Sequence, residues 1–180
     1  MHAEETSLPG VLVLHPRVFE DDRGFFYESF NTRTFREATG VDAVFVQDNH
    51  SLSKGPVLRG LHYQLPNAQA KLVRVIRGAV WDVAVDLRRS SPTFRQWFGT
   101  ELSAANRKQL WIPAGFAHGF LAFSEEAEVL YKATAHYSPA DDRTVAWDDP
   151  DLAIEWPTTD VILSEKDAAA PLLSSAQLFD

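Results

Sequence analysis

Apolar residues along this chain gather in short β-branched or aromatic runs: GVLVLHPRVF, GFFYESF, AVFVQDNHS, VLRGLHYQ, KLVRVIRGAVWDVAVDLR, QWFGTELS, KQLWIPAGFAHGFLAFS and AEVLYKATAHYS. Runs of this kind, bounded by glycine, proline and small polar residues, predict strands. Arg33 to Gly40 departs from the pattern and reads as a short helix stopped by its glycine, and a second helix is predicted to start after Ser164. Neither alternates with strands as a βαβ protein requires. The pattern therefore predicts an all-β fold, a jelly-roll β-sandwich with a few short helices. Lys71 to Arg88 reads as a hairpin turning at Arg77 and Gly78.

The period of two places Trp81, Val83 and Val85 on one face of a strand and Asp82, Ala84 and Asp86 on the other, a packed face and a polar one. By itself that describes a strand with one side in water as well as one lining a cavity. VLRGLHYQ, Val57 to Gln64, is harder to place on a solvated surface. Arg59 and His62 have opposite parity and a regular strand sends them to opposite faces, but a glycine between them, Gly60, permits a bulge that turns both into one cavity.

With 180 residues, 45% of them hydrophobic, the chain can close one sizeable core and is too short for two ordinary domains, so residues 1–180 are expected to form one. No internal repeat or Gly/Ser linker divides it. A net charge of −8 argues against a general nucleic-acid binder, although arginines and lysines inside a pocket can still hold a small anion such as a diphosphate. Zero cysteines exclude disulfides, thiolate metal sites and a cysteine nucleophile. No apolar run approaches the roughly 20 residues of a membrane span, and the acidic MHAEETSLPG start is unlike a signal peptide, so a cytoplasmic location is expected.

IPAGFAHGF, Ile112 to Phe120, has a Pro-x-Gly-x-x-His spacing that delivers His118 from a tight turn onto the next strand. It resembles the second motif of cupins, with GLHYQ standing where the first motif falls. Metal cupins carry His-x-His and a glutamate in that first motif. Here only His62 remains and Gln64 replaces the second histidine, so the usual three or four ligands are not assembled from His62 and His118, and a metal-free, cofactor-free cupin-type pocket is expected.

The segments PRVFEDDRGFFYESFN, FVQDNHS, VLRGLHYQ, AQAKLVRVIRGAVWDVAVDLR, QLWIPAGFAHGF, LYKATAHYSP and LSEKD, in this order from about Val11 to Asp167, resemble the dTDP-4-dehydrorhamnose 3,5-epimerases of bacterial deoxysugar biosynthesis. The resemblance implies a dTDP-4-keto-6-deoxyhexose substrate inverted at C3 and C5, the two carbons beside the C4 ketone. Such chemistry needs a base on one face, stabilisation of the enolate oxygen, and an acid on the other face. The family pattern makes His62 the base, oriented by Asp167, with Asp82 as the alternative orienter. It sets Lys71 and Arg59 toward the enolate oxygen and makes Tyr131 the acid that returns the proton.

The resemblance further assigns nucleotide and sugar recognition to Arg23, Phe26, Glu28, Gln47, Asn49, His118, Tyr137, Asp142 and Lys166. Phe26 and Tyr137 are placed to sandwich the thymine, and Arg23 and Lys166 to meet phosphate or sugar oxygens. The chain departs from the commoner pattern at Asp142, where glutamate often stands, and at Thr144, where small or apolar residues do. A homodimer is implied, with the N-terminal segment of Arg23, Phe26 and Glu28 crossing to the partner. Two other readings use the same motifs: an epimerase that inverts C3 alone, and a cupin that binds a sugar nucleotide without turning it over.

Overall fold

A computed structural model describes residues 1–180. In chain order the strands are β1 (His2–Glu5), β2 (Leu12–His15), β3 (Val18–Asp21), β4 (Gly24–Tyr27), β5 (Gln47–Lys54), β6 (Leu58–Gln64), β7 (Lys71–Arg77), β8 (Ala79–Asp86), β9 (Trp97–Ser103), β10 (Gln109–Ile112), β11 (Phe116–Ala122), β12 (Glu126–Ala133) and β13 (Asp142–Thr144). Two antiparallel sheets result, a six-stranded one in the order β1-β2-β10-β7-β12-β5 and a five-stranded one in the order β13-β6-β11-β8-β9. This is the expected all-β jelly-roll sandwich. β3 and β4 form a separate two-stranded ribbon.

The sandwich closes because alternate residues of both sheets are apolar and meet between them. Val13, Val73, Val75, Leu110, Ile112 and Val129 of the six-stranded sheet pack on Val80, Ala84, Leu102, Phe116, Phe120 and Ala122 of the other. A second cluster, with Leu61, Tyr63, Val83, Val85 and Ala117, covers the opposite face of the five-stranded sheet using Leu152, Leu173 and Leu178 from the C-terminal segment. Both faces of β8 are therefore dry, and the solvated side that its alternation allows is absent. Asp82 and Asp86 are fully buried. Burial pushes the Asp86 carboxyl up, but bonds from Arg88 Nε at 2.8 Å, Ser91 Oγ at 2.5 Å and Thr93 Oγ1 at 2.7 Å outweigh it and bring the pKa to about 2.

The expected hairpin over Lys71 to Arg88 is not a hydrogen-bonded pair. β7 and β8 belong to different sheets, and Gly78, at φ +69°, turns a corner between them so tight that a Cβ there would lie 1.9 Å from the Glu126 carbonyl oxygen. The turn residues that mark a hairpin mark a sandwich corner equally well.

The predicted helix over Arg33 to Gly40 is α1 (Thr32–Thr39). The Asn31 side chain accepts from the Arg33 and Thr34 amides, and Gly40 ends the helix at φ +71°, a left-handed position that costs glycine little. Phe35, its one buried residue, joins Phe30, Phe45 and Trp111 on the outer face of the six-stranded sheet. The second predicted helix is one turn, α2 (Glu165–Ala168), capped by Ser164.

Candidate active site

β6 carries the expected bulge. Its pairing with β11 runs from His118 opposite His62 to Phe120 opposite Arg59, so Gly60 and Leu61 together face the single Gly119. Gly60 sits at φ +134° with Gly119 so close that a Cβ would lie 2.5 Å from its Cα. Glycine on glycine is what this contact permits. The extra residue resets the parity, and Arg59 and His62 both look into the space between the sheets.

His62 Nε2 lies 2.6 Å from Asp167 Oδ1. An ionised carboxylate only accepts, so Nε2 carries a proton, and in the neutral ring this leaves Nδ1 with the lone pair. The Ser164 hydroxyl accepts from the Asp167 amide at 3.1 Å, so the N-terminal turn of α2 aims the carboxylate at His62. Burial pushes the Asp167 carboxyl up, but its hydrogen bond to His62 and the imidazole charge, with Ser164 and the Gly60 amide, hold it below the usual range.

Asp82 does not share this task. β11 lies between β6 and β8, which puts Asp82 two strands, roughly 10 Å, from His62. Its two oxygens instead lie 3.0 Å each from Nε2 of His118. Burial lowers the His118 pKa, with Asp82 opposing and the charges of Lys71 and His62 adding to the fall. Burial thus favours the neutral form of His118, in which Nε2–H points at Asp82 and Nδ1 is an acceptor.

The facing sheet supplies Lys71 and Tyr131. Lys71 is 8% exposed, with Nζ 3.5 Å from the His62 carbonyl oxygen and 5.9 Å from the centre of the Tyr131 ring. Burial draws its pKa down to about 8, against the attraction of Asp82 and Asp142. Burial raises the Tyr131 phenol, while the Arg59 charge acts in the opposite sense. Imidazole and phenol thus stand on opposite sheets, with the Lys71 ammonium near the backbone of the one and the ring of the other.

At the mouth, Asp142 Oδ2 accepts from the Tyr137 hydroxyl at 3.0 Å and pairs with Lys166. Gln47 accepts from the Tyr137 amide at 2.8 Å and donates to Asn49 at 3.0 Å, and Asn49 lies opposite Tyr131 across β5 and β12. Gln64, which the sequence marks only as a poor metal ligand, is 3% exposed and holds the segment bearing Tyr137. It accepts from the Ser138 amide at 2.8 Å and donates to the carbonyls of Asn67 and His136. A polar residue at an inward strand position was the available signal. No group of three or more His, Asp or Glu side chains is arranged to hold a metal ion.

Arg23, Phe26 and Glu28 are not brought to this cavity by their own chain. Arg23 pairs with Asp21 at 2.6 Å with its side chain 89% exposed, and Phe26 is 72% exposed on the β3–β4 ribbon. Glu28 accepts from Asn31 at 3.1 Å and Thr34 at 3.0 Å beside α1. Phe26 and Tyr137 therefore form no sandwich within one chain. β3 and β4 pair only with each other, so neither Arg23 nor Phe26 is joined to the two main sheets by strand hydrogen bonds.

A family model described as dTDP-4-dehydrorhamnose 3,5-epimerase matches residues 5–175. A dTDP-4-dehydrorhamnose 3,5-epimerase of Pseudomonas aeruginosa is 56% identical over 180 residues, covering 99% of each chain. One from Salmonella typhimurium is 58% identical over 176 residues, 97% of this chain and 96% of the other. Among solved structures, a dTDP-6-deoxy-D-glucose-3,5-epimerase of Legionella pneumophila, in complex with dTDP-4-keto-L-rhamnose, superposes with a TM-score of 0.94 at 48% identity, over 97% of this chain and 93% of that one.

Proposed function

The chain belongs to the dTDP-4-dehydrorhamnose 3,5-epimerase family, and from that premise we propose how its cavity turns dTDP-4-dehydro-6-deoxy-D-glucose into dTDP-4-dehydro-L-rhamnose. The observation that carries the proposal is the placement of His62 on one sheet and Tyr131 on the sheet facing it. A sugar ring lying between them meets a base on one face and an acid on the other, which is what inversion of a carbon acid requires.

His62 Nδ1 removes the proton from C3 or C5, and the electron pair moves onto the C4 oxygen as an enolate. Asp167 stabilises the imidazolium that forms, since its hydrogen bond already fixes Nε2–H. Lys71 faces the enolate oxygen, where a buried ammonium counts for far more than one in water. The Tyr131 hydroxyl then delivers a proton to the opposite face, and the carbon is returned inverted. His118, neutral with Nδ1 free, accepts from a sugar hydroxyl. Arg59, tied to β5 at Ser53 and Leu52, is assigned to the diphosphate together with Lys166 instead of to the enolate oxygen, which is left to Lys71, and Tyr137 offers a half-exposed ring to the thymine.

The partner of that ring is Phe26 of a second copy. Three exposed aromatics, Phe19, Phe25 and Phe26, crowd one ribbon that its own sheets leave uncovered, and an apolar surface of this kind is suited to burial in an interface. The proposed assembly is a homodimer in which each ribbon, with Arg23 and Glu28, completes the other's cavity.

Turnover is tested with dTDP-4-dehydro-6-deoxy-D-glucose, a downstream 4-ketoreductase and NADPH in deuterated water. Consumption of NADPH with deuterium at both C3 and C5 is expected. Deuterium at C3 alone assigns the chain to single-centre inversion, and no NADPH oxidation at high enzyme concentration leaves only binding.

A further inference from the structure

The inward face of β5 reads Gln47, Asn49, Ser51 and Ser53, a row of polar side chains on an edge strand whose one neighbour, β12, sets Ala133, Tyr131, Val129 and Ala127 opposite them. Gln47 and Asn49 are accounted for at the mouth of the cavity. Ser53 is not. It is 2% exposed, and its hydroxyl oxygen accepts from Arg59 Nε at 3.0 Å, while the Leu52 carbonyl accepts from Nη2 of the same guanidinium at 3.1 Å.

Arg59 therefore grows from β6 in one sheet and is tied to the edge strand of the other. The rest of this residue is exposed. A long side chain with its tip in solvent samples many rotamers, and two bonds from one strand select among them. With Nε and one Nη2 hydrogen spent on β5, the guanidinium keeps Nη1 and the second Nη2 hydrogen free, and these two donors form the fork that matches a phosphate. Its charge is also close enough to act on the Tyr131 phenol.

We infer that Ser53 is a positioning residue for substrate binding: its hydroxyl holds the Arg59 guanidinium with its free edge toward the diphosphate of the sugar nucleotide. The inference rests on the proposed reading of Arg59 as a diphosphate contact. Ser51, two residues along the same face, has a buried hydroxyl without a partner, so it provides a control that removes the same atom type from the same strand without touching Arg59.

The test is a double-mutant cycle read by KM, kcat and the calorimetric affinity for dTDP. Ser53→Ala is expected to raise KM and weaken dTDP binding by about three- to tenfold, as loss of one ordinary hydrogen bond implies, with kcat changed less than about twofold. Ser53→Thr, which keeps the oxygen, restores both values, and Ser51→Ala leaves them unchanged. In an Arg59→Ala background, Ser53→Ala has no further effect. An active parent enzyme with Ser53→Ala at the parent KM, or an undiminished Ser53 effect once Arg59 is gone, overturns the inference and leaves the epimerase function standing. Absence of turnover by the parent overturns that function instead, and the dTDP titrations still decide for or against Ser53.

Discussion

Burial pulls the Lys71 ammonium down to about 8 and pushes the Tyr131 phenol above its ordinary value. Under the proposed mechanism, raising the pH therefore strips the cation at the enolate oxygen before it ionises the acid. kcat/KM should fall as pH rises through about 8, and a Lys71→Gln variant, slow throughout, should lack that alkaline limb. A limb that persists unchanged in Lys71→Gln would belong to another group. The two proton-handling residues should fail differently. His62→Ala is expected to abolish solvent exchange and epimerisation together, because nothing else removes the proton. Tyr131→Phe should bind substrate and still exchange some protons, since His62 can return one to the face it came from, while inversion falls by roughly 10²- to 10⁴-fold. Inversion of both centres at the parent rate in Tyr131→Phe would move the acid to Tyr137, six residues along the chain. His62 and His118 each commit Nε2 to a carboxylate, so activity should survive prolonged dialysis against a chelator. A loss that zinc or iron reverses would contradict this.

At the scale of elements, the β6 bulge is what allows one strand to turn both His62 and Arg59 to the same side. Gly60→Ala places a Cβ 2.5 Å from a backbone atom of Gly119 at φ +134°, and neither strand can yield without disturbing its ladder. A loss of stability of at least about 2 kcal/mol is expected, from strain and overpacking together. Thermal unfolding measures it, and a Gly60→Ala protein with the parent Tm would show that the contact relaxes freely. The bulge was legible in the sequence because a glycine separates two polar residues of wrong relative parity. Strand positions were legible where apolar residues alternate, but β1 (HAEE) and β13 (DRT) carry no such signal, since edge strands are held by backbone bonds and face solvent. Which sheet each of β7 and β8 would join was hidden, because Arg77 and Gly78 suit either kind of turn. The motif spacing exposed His62 and His118. Their separate carboxylates, Asp167 and Asp82, became distinguishable only when the strand order put β11 between β6 and β8. Ser53 gave no sign at all, being one small polar residue among several on β5.

At the scale of the whole molecule, the question is where the aromatic surface of the β3–β4 ribbon goes. Phe19, Phe25 and Phe26 are each at least half exposed, and Arg107, stacked 4.3 Å from the Phe25 ring centre and paired with Glu20 at 2.9 Å, holds the ribbon in one pose instead of leaving it loose. A fixed, exposed apolar projection costs solvation unless a partner covers it, and a twofold dimer covers two such projections by one symmetric interface. Sedimentation at micromolar concentration should accordingly give about twice the chain mass of 20.2 kDa, and a mass near one chain would refute the assembly. Mass alone does not place the ribbon in the partner's cavity, but complementation does. His62→Ala destroys the cavity of its own chain and leaves the ribbon whole. Phe26→Ala damages the ribbon and leaves the cavity whole. If each ribbon serves its partner, a heterodimer of the two variants joins one intact cavity to one intact ribbon. Random re-pairing of equal amounts makes half the dimers mixed, each with one working site of two, so about a quarter of the parent activity should return. If the ribbon serves its own chain instead, every cavity in the mixture lacks either His62 or Phe26, and mixing restores nothing.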